Sequence, residues 1–160
     1  MTFAVILLVA VGYLILSGGN LLMASMLNND ALRALVARWA EFYNLDPALV
    51  YGVVMVESSG NPTARNPSDP SCGLMGVKPL IGRAYGELTG DDDTVLLALE
   101  LPDNNMRAGC GFLSHLQGRY GVLHSVETWV QAYNMGETNF DKGYRNNYGS
   151  KVIAAGWGSK

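Results

Sequence analysis

The sequence is poor in the residue types that mark most enzyme centres. It has 2 cysteines, 2 histidines and 6 prolines in 160 residues, and only 16% of its side chains are charged. His115 and His124 form no HExxH arrangement, and Cys72 and Cys110 have no CxxC spacing, so no metal site is expected. A Walker-type phosphate cradle and the GxSxG elbow of esterases are also missing, and no cofactor is expected. Basic residues are not in excess: 11 Lys and Arg stand against 14 Asp and Glu, giving a net charge of −3 and a pI of about 5.2. Without a positive field to attract phosphates, nucleic acid is excluded as a partner. No internal repeat or low-complexity run occurs. The two cysteines leave two readings open. One is a single bridge closing a loop of roughly 38 residues, which would stabilise by about 4 kcal/mol, and the other is a pair of buried free thiols.

Apolar sequence, by contrast, is plentiful. Mean hydropathy is +0.12, and much of it comes from residues 1–26, which carry no charged side chain. As a helix they would span roughly 39 Å, enough for a hydrocarbon core about 30 Å thick. Such a segment suits an uncleaved membrane anchor, a cleavable signal peptide or a buried core helix. We favour the anchor, because no Lys or Arg precedes the span and Ser17 to Gly19 is only a passable cleavage site. The positive-inside rule finds only Arg33 and Arg38 soon after it and sets no orientation. The remaining length suits one domain with a substantial core. The chain therefore divides into an anchor or signal segment, 1–28, and a folded domain, 29–160.

Within that domain the apolar spacing is helical. Asn29 or Asp30 caps a helix through about Asn44, with Leu32, Leu35, Val36, Trp39 and Phe42 on one stripe. Asp46 and Pro47 supply the cap and first residue of the next. Residues 60–72 hold three prolines among several Asn, Asp and Ser, which predicts an irregular loop or a short β-hairpin. Further helices are expected over Pro79 to Glu87, from the acidic run Asp91 to Asp93, over about Asp103 to Gly118, from a Ser125 cap to Gly136, and between Lys142 and Ala155. The domain is expected to be predominantly helical.

One residue breaks the pattern. Leu49, Val50, Val53 and Val54 share a helix face, and the next position on that face is Glu57, just ahead of Ser58, Ser59 and Gly60, which end the helix. Burial and the negative end of the helix dipole both disfavour its charged form. A carboxyl group kept protonated near neutral pH is what a general acid needs.

Five blocks then carry a family resemblance: ESSGNP at 57–62, GLMGV at 73–77, NNMRAGCGFL at 104–113, AYNMG at 132–136 and NYGSKV at 147–152. Their order and spacing resemble the soluble lytic transglycosylase, or lysozyme-like, domain. The resemblance implies an all-α lysozyme-like fold and cleavage of the β-1,4 bond between N-acetylmuramic acid and N-acetylglucosamine in peptidoglycan glycan strands, with a 1,6-anhydro product. It makes Glu57 the catalytic acid and then the base. It places Gly73, Leu74 and Met75 along the cleft, Tyr133 and Asn134 beside the sugar, and Tyr148 close to the acid. Gly76 stands where the family carries a glutamine, and Met135 where it carries a small residue, so one hydrogen-bonding side chain of the cleft is absent.

Two other functions fit the same residues: a goose-type lysozyme-like hydrolase using Glu57 with Asp69, and a non-catalytic, membrane-anchored wall-binding or assembly protein. The expected setting is a bacterial inner membrane facing the periplasm, reached through residues 1–26, or a phage virion. Secretion-system or virion proteins are the expected partners.

Overall fold

Helix starts follow the caps written in the sequence. Asp46 accepts from the Ala48 amide at 2.8 Å, Asp91 accepts from the Thr94 amide at 2.9 Å, and Pro47, Pro79 and Pro102 occupy first helical positions where a missing N–H costs nothing. The structure, a computed structural model, describes residues 29–156. The expected membrane segment lies outside them. Among the described residues the helices are α1 (Asn29–Phe42), α2 (Pro47–Ser58), α3 (Pro79–Gly86), α4 (Asp92–Leu99), α5 (Pro102–Tyr120), α6 (Val126–Trp129), α7 (Gln131–Met135), α8 (Glu137–Asp141) and α9 (Tyr148–Ala155). None of these is long and apolar enough to cross a membrane.

The core is where the sequence stripes meet. Leu32, Val36 and Ala40 of α1 and Leu49, Val50, Val53 and Val54 of α2 are buried together with Met106, Cys110, Leu113 and Leu116 of α5. The long α5 packs against α1, α3 and α4, while α9 lies along α2. That last contact is close because Gly52 has no side chain: a Cβ there would overlap the Val152 carbonyl oxygen.

The expected loop or hairpin at 60–72 is a loop. It is stitched by isolated antiparallel bridges, Arg65 with Cys72 and Cys72 with Val77. The predicted helix from Ser125 to Gly136 is divided. Ser125 Oγ pairs with Thr128 Oγ1 at 3.0 Å instead of capping an amide, the chain turns at Val130, and Gly136 at φ +80° separates α7 from α8. The last helix begins only at Tyr148, because Gly143 at φ +87° and Arg145, which donates to the Phe140 and Tyr144 carbonyls, hold 142–147 in an irregular turn. Both cysteines are free and buried. Cys72 Sγ faces the Leu96 carbonyl at 3.4 Å and Cys110 Sγ faces Met75 Sδ at 3.8 Å, and burial pushes the Cys72 thiol up to about 11.

Candidate active site

The site begins at the C-terminus of α2. Ser59 at φ +54° and Gly60 at φ +80° turn the chain sharply away, leaving Glu57 on the last turn, partly buried. Ser58 Oγ shares its one proton between the Leu74 carbonyl at 2.8 Å and the Val54 carbonyl at 3.1 Å, and accepts from the Gly60 amide at 3.1 Å. One hydroxyl thus ties the end of α2 to the segment 72–77.

Burial raises the Glu57 carboxyl above its ordinary range, and a hydrogen bond donated by Tyr148 to Oε1 at 2.7 Å works against that rise. Tyr148 is the first residue of α9 and is itself buried. Its phenol is raised well above the usual value, first by burial and then by the nearby Glu57 charge, so it stays a donor through the neutral range. Tyr133 of α7 donates to the Met75 carbonyl at 2.9 Å, and burial, with Glu57 nearby, raises its phenol in the same way. Gly76, at φ +59°, backs the other carboxyl oxygen: a Cβ there would stand 2.6 Å from Glu57 Oε2. The glycine that sequence reading treated as a lost hydrogen-bonding side chain therefore leaves room for the acid.

Two concavities adjoin at Gly76. One is lined by Glu57, Ala64, Arg65, Asn66, Pro67, Ser71, Cys72, Gly73 and Gly76 and is polar in character. The other is apolar and aromatic, lined by Gly76 through Lys78, Leu80, Ile81, Phe112 and Tyr133 through Gly136. Together they make a cleft with the carboxyl group at its waist. Glu57 is the single carboxylate among the described residues lining it. Asp69, the candidate second acid, is held by Lys78 at 2.8 Å and lines neither concavity. Among the described residues no three His, Cys, Asp or Glu side chains gather to hold a metal ion.

The residues singled out from sequence divide into groups. Glu57 and Gly73 line the polar side, Tyr133 and Asn134 the apolar side, and Tyr148 meets Glu57 directly. Leu74 and Met75, expected along the cleft, are 0% exposed, their side chains in the core, and they face the site only through main-chain carbonyls. Asn134 is exposed, and its Oδ1 accepts from Asn146 Nδ2 at 3.0 Å. Three contributors escaped sequence reading: Ser58, Phe112 in the apolar wall, and Asn105, a fully buried amide. The signal for Asn105 was its place in the block NNMRAGCGFL, where neither of two adjacent amides stands out by type.

The family model described as "Transglycosylase SLT domain" matches residues 34–154. A transglycosylase of Enterobacteria phage PRD1 is 34% identical over 112 residues, covering 69% of this chain and 37% of that protein. A membrane-bound lytic murein transglycosylase E of Buchnera aphidicola is 29% identical over 130 residues, covering 71% of this chain and 58% of that one. The chain thus spans less than two thirds of either relative. Among solved structures, an inactive mutant of the lytic transglycosylase Slt from Pseudomonas aeruginosa superposes with a TM-score of 0.56 at 21% identity, over 76% of this chain and 20% of that one. This last likeness is one of fold.

Proposed function

Since the chain belongs to the transglycosylase SLT domain family, we propose that it is an enzyme, a lytic transglycosylase that cleaves the β-1,4 bond between N-acetylmuramic acid and N-acetylglucosamine in peptidoglycan. The observation that carries this reading is the Glu57 carboxyl. It is held by Tyr148 in a cleft whose described lining offers no second carboxylate.

In the proposed reaction Glu57, whose burial favours its protonated form, gives its proton to the glycosidic oxygen as the C1–O bond breaks, and N-acetylglucosamine departs with a free hydroxyl. The carboxylate left behind takes the proton from the muramoyl C6 hydroxyl. O6 then closes on C1 to form a 1,6-anhydro ring. Glu57 ends protonated, no water is consumed, and one carboxyl group serves both steps. A two-carboxylate glycosidase would need a second acid to activate water or attack the sugar, and Asp69 is engaged by Lys78. The Tyr148 hydrogen bond steadies the charge that appears on Glu57 between the steps. The uncharged segment 1–26 would hold the domain at the bacterial inner membrane facing the periplasm, or within a phage particle. A membrane-bound and a phage transglycosylase among its relatives support that setting.

Digestion of purified peptidoglycan followed by mass spectrometry tests the reading. Products ending in 1,6-anhydromuramic acid are expected; reducing ends in their place would point to hydrolysis and to Asp69, and the absence of any release to a binding protein.

A further inference from the structure

We infer that Asn105 of α5 is a positioning residue for the cleavage step, acting through the segment 72–76 that backs Glu57. The inference rests on the proposed activity. Asn105 is 0% exposed, and a fully buried amide is costly unless its hydrogen-bonding capacity is used. Here both donors and the acceptor oxygen are engaged. Nδ2 donates to the Cys72 carbonyl at 2.8 Å and to the Leu99 carbonyl at 2.9 Å, while Oδ1 accepts from the Met75 amide at 2.8 Å. The segment is a tight turn closed at its neck by two bonds between Cys72 and Val77, at 3.1 and 2.9 Å. Asn105 fills the inside of that turn and pins it to the end of α4.

The fit is mutual. Gly73 sits at φ +78°, and a Cβ there would overlap the Asn105 amide group. Glycine is therefore demanded by the asparagine as well as by the backbone. The turn meets the site at Met75, which Asn105 holds, and at the two residues on either side of it. The Leu74 carbonyl receives Ser58, the Met75 carbonyl receives Tyr133, and Gly76 abuts Glu57 Oε2. An apolar residue at 105 would strand the Met75 amide and the Leu99 carbonyl, leave the Cys72 carbonyl with its Val77 partner alone, and free the turn to shift. A catalytic group tolerates only about 0.5 Å of misplacement. A loosened turn also admits water beside Glu57 and relieves the burial that raises its carboxyl.

The test compares wild type, Glu57→Gln, Asn105→Ala, Asn105→Asp and, as a core control, Leu116→Ala. Release of anhydro-muropeptides from soluble glycan strands is followed across pH, with the Met75 amide watched by NMR hydrogen exchange. For Asn105→Ala the expected result is a fall in kcat of about tenfold or more, KM within about threefold, faster Met75 exchange, and an alkaline limb moved to lower pH. Leu116→Ala should lower thermal stability and leave that limb in place. Asn105→Asp keeps the acceptor for Met75 and carries the same comparison if the alanine variant does not fold. Either variant folding with the wild-type kcat and pH profile overturns the inference. So does failure of both to fold, since Asn105 would then serve the fold at large. An inactive wild type would instead overturn the proposed function.

Discussion

Tyr148 gives its phenolic hydrogen to Glu57 Oε1 at 2.7 Å across 91 positions of sequence. The bond favours the charged carboxyl, opposing the burial that favours the neutral one. Tyr148→Phe removes the donor and keeps the ring. Its alkaline limb should move to higher pH, because Glu57 then holds its proton longer. The rate should fall by about tenfold, equivalent to about 1.4 kcal/mol, as the carboxylate formed in the first step loses its partner. A pH–rate profile on purified peptidoglycan reads both effects.

Glu57→Gln should abolish turnover by about 10²- to 10⁴-fold, the range expected for loss of a positioned acid and base. Its effect on stability has the opposite sign. Because the folded carboxyl is raised above its unfolded value, the stability it contributes is present in acid and lost as pH rises through the folded value. The glutamine variant should therefore melt above the wild type near pH 7, with the gap closing below the ordinary carboxyl range. Thermal denaturation at two pH values checks it.

Leu74→Ala should act on the fold. The side chain is 0% exposed, so truncation removes packing and leaves a cavity, at about 2–5 kcal/mol. Urea unfolding should show that loss, while the folded fraction keeps the wild-type KM.

Asp69→Asn should be nearly silent. It breaks an ion pair with Lys78 in which both side chains are well exposed, worth less than about 1 kcal/mol. Turnover within twofold of wild type is expected. A loss comparable to that of Glu57→Gln would establish the two-carboxylate route.

What could be read from sequence follows the reach of each signal. Glu57 was legible because periodicity over Leu49 to Val54 sets a face, and an acid on that face is anomalous. The caps Asp46 and Asp91 were legible because their bonds span two or three residues. Asn105 was not, because its partners lie 6, 30 and 33 positions away and nothing local distinguishes it from a polar residue in the first turn of a helix. Leu74 and Met75 were assigned to the cleft through the company they keep in GLMGV, whereas the turn offers its carbonyls to the site and its side chains to the core. The helix end at Gly136 was legible, but the turn at Val130 was missed because the apolar stripe from Val126 to Tyr133 runs straight through it, and the glycine says nothing of a second short helix beyond.

The seat at Gly52 makes the two helices that carry the acid and its clamp into a lever. Val152 rests on Gly52; Glu57 lies five residues along one arm and Tyr148 four along the other, each roughly 6–8 Å from the pivot at 1.5 Å per residue. A change of about 10° in the angle between arms of that length moves one tip by roughly 1 Å against the other, enough to open the bond between them. The close seat of α9 on α2 at Gly52 thereby bears on the separation that the Tyr148–Glu57 bond needs.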